Sequence, residues 1–143
     1  MKILLPVDGS ENALDAVRHA LRLAGNGLHA RYVLANVQEP ASLYEVVVAH
    51  SAEVIQQVSA AAAEHALAPA QALLRAAGLA FDTEIGHGDP GHQIVEIAER
   101  CGCDLIILGA RGMAPLEGAL GSAANSVLHH AGVPVMVVRR NPG

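Results

Sequence analysis

The sequence has few aromatic residues and a single lysine. Only two Tyr and one Phe occur among its 143 residues, with no Trp, although hydrophobic residues make up 52%. The core must therefore be built from small aliphatic side chains, a composition typical of helices packed over a buried sheet. Lys2 is the only lysine, and the nine Lys and Arg residues are scattered along a chain of formal net charge −5. Because neither basic clusters nor interleaved aromatics occur, the composition argues against nucleic-acid binding.

Long apolar runs are also lacking, and we expect no secretion signal. No uninterrupted apolar run reaches about 18 residues, the length typical of a membrane span, and Lys2 leads directly into an apolar segment. Cys101 and Cys103 are too close in sequence for easy disulfide pairing, and no second pair completes a zinc site. We expect a single soluble cytoplasmic domain over residues 1–143, with free thiols and no membrane association.

Five short apolar runs alternate with segments of helical spacing, which predicts an α/β fold. The predicted strands are Lys2–Val7, Leu28–Val37, Phe81–Ile85, Asp104–Leu108 and Val133–Val138. The first predicted helix is capped by Ser10, has its apolar repeat at Ala13–Ala24 and ends at Gly25–Gly27. The others are Ser51–Ala77, Gly91–Arg100 and Ala123–His130. Residues Ala41–His50 are interpreted as irregular, and Pro69 should kink or interrupt the long second helix.

This β/α alternation favours a doubly wound, five-stranded parallel sheet with helices on both faces. By analogy with such folds, the strand order is 3-2-1-4-5. Ligands of doubly wound sheets bind beyond the carboxyl ends of the strands, where the strand order reverses. Asp8 and Gly109, which follow the first and fourth strands, are expected to face one crevice.

The stretch Leu105–Ser122, LIILGARGMAPLEGALGS, is interpreted as a strand, a glycine loop and a helix start. Glycines permit positive φ and close approach of the main chain, while the first turn of a helix offers unpaired N–H groups to an anion such as phosphate. Arg111 is the only cation of this loop, and the absence of Gly-Lys-Ser/Thr excludes a Walker A loop. The alternative is a plain glycine-rich turn with Ser122 as an ordinary N-cap.

The loop resembles the nucleotide loop of the universal stress protein family, whose ATP-binding members carry GxxG, nine residues and then Gly-Ser or Gly-Thr. Gly109 and Gly112 match the first part, and Gly121 with Ser122 matches the second, with eight residues between them. The Gly-Asp-Pro at 88–90 is also similar to the family. The resemblance extends from Lys2 to Arg139, and it implies the adenine nucleotide alpha hydrolase-like fold with the strand order given above.

The resemblance further implies a site for ATP, with or without Mg²⁺. Asp8 would contact the ribose or the adenine edge, although it could instead serve only as a turn residue. Val37 would lie against the base, although plain core packing explains it equally well. The full set of nucleotide-binding residues implied by the resemblance is Pro6, Val7, Asp8, Val37, Gly109, Arg111, Gly112, Gly121, Ser122 and Ala123.

A homodimer is expected through the last strand, Val133–Val138. This segment is apolar on both faces, and pairing with a second copy would remove an exposed sheet edge. The resemblance implies the same dimer. The alternative is that Arg139 and Arg140 alone keep the edge soluble.

Three functions follow from these residues. The first is a stress-response regulator that binds ATP or another adenine nucleotide, with at most slow hydrolysis. The second is a family member without nucleotide binding that acts as a dimeric interaction module, which the shorter loop and Glu117 favour. The third is a metal-assisted phosphohydrolase that uses His87 and Asp89.

Catalytic and metal-ligating motifs are otherwise lacking. The eight histidines contain no HExxH pair, and no GxSxG elbow occurs. His129 and His130 are explained by the favourable position of cationic side chains near a helix C-terminus. We therefore predict neither a catalytic residue nor a metal ligand.

Overall fold

The structure, a computed structural model, describes residues 1–39, 52–111 and 120–140. Within these ranges five strands and four helices alternate. The strands are β1 (Lys2–Pro6), β2 (Arg31–Gln38), β3 (Phe81–His87), β4 (Leu105–Gly109) and β5 (Val135–Val138). The helices are α1 (Glu11–Gly25), α2 (Ala52–Ala76), α3 (Pro90–Arg100) and α4 (Ser122–His130).

The five strands form one parallel sheet in the order β3-β2-β1-β4-β5. This confirms the predicted fold class and strand order. Because β1 lies between β2 and β4, the chain reverses its direction of winding at β1, and the ends of β1 and β4 are neighbours. Doubly wound sheets bind ligands at this position.

Two apolar layers cover the sheet, one on each face. Ile3 and Leu5 of β1 point into the layer formed with α1 and α2, whereas Leu4 points into the layer formed with α3 and α4. This alternation follows from the period of two in a strand. Ile106 and Ile107 of β4 are fully buried, so β4 is covered on both faces, as its unbroken apolar run predicts.

Pro69 is predicted to kink or interrupt the second helix; the interruption is wrong, because α2 continues through Pro69. A proline inside a helix costs about 3 kcal/mol through a lost hydrogen bond and a steric clash. Here the buried face of α2 extends on both sides of the proline, from Ala63 and Leu67 to Ala70 and Leu74. Burial of that face over the whole length of the helix offsets the local cost.

Several strand boundaries differ from the predicted ones. β3 extends two residues past Ile85 because Gly86 and His87 remain paired with β2, whose Gln38 carbonyl also accepts from the Gly88 N–H. β5 begins at Val135, after Pro134, whose ring nitrogen cannot donate to a ladder. The segment predicted as irregular, 41–50, lies outside the described residues. In the part of the chain that is described, no helix has the length and apolar character needed to cross a membrane, and the cytoplasmic location stays a prediction.

Candidate functional site

A cavity of about 660 Å³ lies at the carboxyl ends of the central strands. Its floor is formed by the ends of β1, β2 and β4, and its walls come from all four helices. Nine of the ten nucleotide-binding residues predicted from the sequence line this cavity: Pro6, Val7, Asp8, Val37, Gly109, Arg111, Gly121, Ser122 and Ala123. The tenth, Gly112, lies outside the described residues. The topology therefore brings the nine together from four separate stretches of the chain.

At the end of β1, a tight turn presents Asp8 to the cavity. Oδ1 of the exposed Asp8 accepts a hydrogen bond from the Ser10 N–H at 2.9 Å, and Ser10 Oγ in turn accepts from the Ala13 N–H at 3.2 Å as the N-cap of α1. Gly9 lies between them at φ +89°, a conformation that favours glycine. Asp8 is thus a turn residue, and its carboxylate retains acceptor capacity beyond this one bond.

At the end of β2, two buried polar side chains form a short chain of hydrogen bonds. Gln38 Nε2 donates to Asn36 Oδ1 at 2.6 Å, and Asn36 Nδ2 donates to the Val7 carbonyl at 2.9 Å. These hydrogen bonds connect the ends of β1 and β2, and they give partners to polar groups that would otherwise be costly to bury. Val37, on the opposite face of the strand, is half-buried against the α3–α4 layer and also lines the cavity. Both of its proposed roles are therefore compatible with its position.

At the end of β4, Gly109 is needed for packing between elements. A Cβ on Gly109 would lie 2.6 Å from the Asn12 carbonyl oxygen and 3.2 Å from the Ala13 nitrogen in the first turn of α1. Positive φ, which is expected of loop glycines, is not found at Gly109 or Gly121. The physical reason for glycine at 109 is instead the close approach of the α1 backbone.

The N-terminus of α4 opens onto the cavity without a side-chain cap. Gly121 is the N-cap, so the interpretation of Ser122 as an N-cap is wrong, and Ser122 is the first helical residue. The Gly121 N–H donates to the Ala110 carbonyl at 2.8 Å, and the Gly121 carbonyl accepts from the Asn125 N–H at 3.0 Å. Within the described ranges, no side-chain cap and no backbone acceptor is found for the N–H groups of 122–124, which leaves them available to an anion.

The charged groups around the cavity have mixed signs. Asp8 and Glu39 contribute two carboxylates, and Arg111 contributes one guanidinium. His65 of α2 adds an imidazole to the wall. An anionic ligand would therefore depend on main-chain N–H groups and on a counterion more than on side-chain cations.

The contributions of α2 and of the hydrogen-bonded Asn36 and Gln38 of β2 were not predicted from the sequence. Asn36 and Gln38 could have been noticed in the sequence, since they are polar residues in an otherwise apolar strand. The sequence gives no indication that α2 contributes to the cavity wall through Ala62, His65 and Ala66. Without the tertiary packing, a helix position that faces a cavity cannot be distinguished from one that faces solvent.

The other candidate groups of the sequence are engaged elsewhere. His87 Nε2 lies 3.3 Å from Ser59 Oγ, and Asp89 is the N-cap of α3, accepting from the His92 N–H at 3.1 Å. Neither is among the described residues that line the cavity. Burial raises the pKa of the Cys101 thiol and, with the neighbouring Cys101, raises the pKa of Cys103 to about 11. Both thiols are free and stay protonated at neutral pH.

Comparison with known proteins gives consistent matches over nearly the whole chain. The model of the universal stress protein family matches residues 1–139. Universal stress protein MJ0531 of Methanocaldococcus jannaschii is 32% identical over 140 residues, which cover 97% of this chain and 82% of that protein. The solved structure of MJ0577 from the same organism is 28% identical, with a TM-score of 0.81 over 99% of this chain and 97% of that one.

Two more distant structures contain adenine nucleotides. One is a universal stress protein family protein from Arabidopsis thaliana with AMP bound, 21% identical, with a TM-score of 0.73 over 99% of this chain and 93% of that one. The other is a universal stress protein in complex with cAMP, 23% identical, with a TM-score of 0.65 over 97% and 96%. These two likenesses show the fold, and the family match decides the identity: the chain belongs to the universal stress protein family.

Proposed function

We propose that this protein binds an adenine nucleotide, ATP or a related one, in the cavity at the strand ends, and that the bound state regulates its partners in a stress response. The observation that carries the proposal is the convergence of an uncapped helix N-terminus with Asp8 and Val37 in one cavity. Its volume of about 660 Å³ falls within the range of roughly 300–1,000 Å³ typical of small-molecule sites. Relatives of the same fold bind AMP and cAMP.

The phosphates are assigned to the first turn of α4. The N–H groups of Ser122 and Ala123 point from a helix N-terminus, whose positive dipole end favours an anion. Gly121 and Gly109 border the same region, and Arg111 adds a guanidinium at the start of the loop. A backbone site of this kind needs no Walker lysine.

The nucleoside is assigned to the ends of β1 and β2. The Asp8 carboxylate can accept from ribose hydroxyls or from the adenine amine while Oδ1 keeps its bond to the Ser10 N–H. Pro6, Val7 and Val37 supply apolar surface to the same cavity, on which a flat base packs without a polar penalty.

The two carboxylates at the site predict a requirement for Mg²⁺ with ATP. Asp8 and Glu39 repel a triphosphate, and Arg111 is the single guanidinium among the described residues of the wall. A bound Mg²⁺ would neutralise part of the triphosphate charge. We expect ATP to bind at least tenfold more tightly with Mg²⁺ than with a chelator, by about 1.4 kcal/mol or more, whereas AMP should depend much less on the metal. Calorimetry with both nucleotides, with and without magnesium, measures the difference.

A charge placed in the first turn of α4 tests the phosphate site directly. In Ser122→Asp, a carboxylate occupies an exposed position of this turn. Acidic residues at a helix N-terminus stabilise the helix by about 0.3–1 kcal/mol, so the fold should persist while the carboxylate excludes phosphate. Calorimetry should show nucleotide binding by the parent and none by the variant. Asn125→Asp is the matched control, because it adds the same charge to the same helix at an exposed residue that does not line the cavity.

The second candidate is a family member that acts as an interaction module without a nucleotide. It is favoured by the acidic residues at the cavity and by the loop that is one residue shorter than the family pattern. If the parent gives no heat with ATP, AMP or cAMP in the presence of Mg²⁺, this candidate replaces the first. If Asn125→Asp abolishes binding as fully as Ser122→Asp, the assignment of phosphates to the α4 N-terminus is wrong.

The homodimer through the last strand also remains part of the proposal. β5 is an edge strand, and all four of its residues are only half-buried although they are apolar. Pairing with β5 of a second copy would satisfy the unpaired backbone groups of this edge. We also propose that residues 1–143 form a single domain.

A further inference from the structure

Two histidines from different helices meet on the surface where α3 packs against α4. His92 lies in the first turn of α3, and His130 is the last residue of α4. Their ring centroids are 5.4 Å apart, with the ring planes nearly perpendicular at 86°. Both residues are exposed, and the His92 side chain retains 66% of its accessible surface.

Close backbone packing of the two helices holds the rings together. Gly91, directly before His92, is buried, and a Cβ there would lie 2.3 Å from Ser126 Oγ. Ser126 is one helical turn before His130 on α4. The distance between the two imidazoles is therefore set by a tight interface rather than by flexible side chains alone.

Hydrogen bonding selects the tautomer of the His130 ring. His130 Nδ1 lies 2.8 Å from the Ser126 carbonyl oxygen, which can only accept, so Nδ1 carries the proton in the neutral ring and Nε2 keeps its lone pair. His92 Nδ1 lies 3.7 Å from Asp89 Oδ2, so this carboxylate contributes a negative charge beside the His92 ring rather than a hydrogen bond. A histidine that ligates a metal through Nε2 is oriented in the same way, with Nδ1–H directed to a carbonyl or carboxylate.

The local electrostatics also favour a cation. The C-terminal end of α4, at His130, carries the negative end of a helix dipole. The N-terminus of α3 has the opposite sign, but the Asp89 carboxylate caps it and lies beside His92.

We propose that Nε2 of His92 and Nε2 of His130 bind one divalent transition-metal ion, of which Zn²⁺ is the test case, with water in the remaining positions. Across the ranges that the structure describes, no group of three or more His, Cys, Asp or Glu could hold a metal. The site is accordingly an open one with two protein ligands, different from a closed structural zinc site. Sequence motifs could not reveal it, because the two ligands belong to different helices.

Metal binding would connect two helices that line the cavity at the strand ends. Pro90 and Ile94 of α3 and Ala123 and Ala124 of α4 line that cavity. An ion held by both helices would stabilise their contact and raise the melting temperature. This inference does not depend on nucleotide binding, since its ligands lie outside the cavity lining.

The test is calorimetric titration of the full chain, without an affinity tag or nucleotide, with zinc chloride. We expect one ion per chain, and a loss of affinity of at least about tenfold in His92→Ala and in His130→Ala, since even second-shell changes cost about 10–100-fold. His19→Ala is the matched control: His19 is a histidine of α1 whose Nδ1 is also engaged, 3.2 Å from Arg22 Nη2, and its removal should leave the affinity unchanged.

Spectroscopy distinguishes loss of the metal site from misfolding of a variant. The circular dichroism of each variant should match the parent, and cobalt(II) bound to the parent should show an absorption change that both variants lose. Absence of zinc binding by the parent would overturn the proposal. So would a loss of the site in His129→Ala or His19→Ala with retention in His92→Ala.

Discussion

At the residue scale, Gly109 shows how a glycine that looks like a ligand-binding residue can be required for packing. Its missing side chain lets the first turn of α1 approach β4, with only 2.6 Å between the position of a Cβ and the Asn12 carbonyl oxygen. Gly109 therefore both borders the cavity and fixes the element that follows Asp8. A substitution here would act on stability before it acts on a ligand.

We expect Gly109→Ala to lower the free energy of unfolding by about 1–3 kcal/mol, because the added methyl group overpacks a backbone contact that cannot rotate away. Urea denaturation measures the change. Gly25→Ala is the control: its Cβ would meet nothing within 4 Å, and alanine has the better helix propensity, so that variant should be neutral or slightly more stable. Equal destabilisation of both variants would contradict the packing role.

Cys103 predicts a stability change at alkaline pH. Burial, with the neighbouring Cys101, raises its pKa from 9.0 to about 11 in the folded state. Because the folded pKa exceeds the unfolded one, the neutral thiol contributes stability that is fully present below pH 9 and is lost as the pH rises towards 11. Between pH 8 and 11 the parent should lose on the order of 2 kcal/mol more than Cys103→Ala, since one pKa unit corresponds to about 1.4 kcal/mol. Parallel losses in both proteins would rule out this contribution.

At the scale of the element, helix α2 illustrates what local rules can and cannot predict. Its existence follows from an alanine-rich sequence of helical spacing, but its continuity through Pro69 depends on the buried face that spans both sides. The local sequence indicates the energetic cost of a proline inside a helix, but burial in the tertiary structure decides whether the helix continues through it. The strand boundaries follow the same logic, since His87 belongs to β3 only because β2 provides a partner for it.

Pro69→Ala should stabilise the protein. The residue is exposed within α2, so alanine restores a helical hydrogen bond and removes the ring clash, together worth up to about 3 kcal/mol. Thermal denaturation should show a higher melting temperature. In the control Pro90→Ala, the proline is at the start of α3, where a main-chain N–H would have no helical partner to lose, and the gain should be much smaller.

The contact between α3 and α4 can be measured by a double-mutant cycle. Gly91→Ala places a Cβ 2.4 Å from the Ser126 Cβ and should cost about 1–3 kcal/mol through overpacking. Removing the Ser126 side chain with Ser126→Gly should relieve the clash, so the double variant should be more stable than the sum of the single effects predicts, by about 1 kcal/mol or more. Additive free energies in urea denaturation would show that the clash is relieved by a movement elsewhere.

At the scale of the whole molecule, the sequence predicts the fold well because each buried strand leaves an apolar run between helical segments. The parallel topology then fixes which loops are neighbours, so Asp8 and Gly109 could be assigned to one crevice although they are far apart in sequence. What could not be predicted are contacts between layers, such as the approach of Asn12 to Gly109 and the histidine pair on α3 and α4. Those contacts depend on helix positions that no local pattern specifies.

The proposed dimer gives a prediction at the same scale. The Pro134 carbonyl accepts from the Ile106 N–H of β4, and the Val138 carbonyl accepts from the N–H of Ala110, directly after β4. Since alternate residues of a strand face opposite edges, the Val137 N–H faces the free edge. Val137→Pro should keep the fold and convert a dimer into a monomer in sedimentation equilibrium, because an edge strand tolerates proline on its outer side. Val137→Thr keeps the N–H and should remain dimeric. A parent that sediments as a monomer would exclude the dimer.

The backbone bond between the Gly121 N–H and the Ala110 carbonyl fastens the two ends of the glycine loop to each other. Because one end directly follows β4 and the other caps α4, the separation between strand and helix is fixed independently of how much chain lies between them. A connection that is one residue longer or shorter can therefore leave the origin of α4 in place, so the length of the loop can vary while the scaffold stays constant.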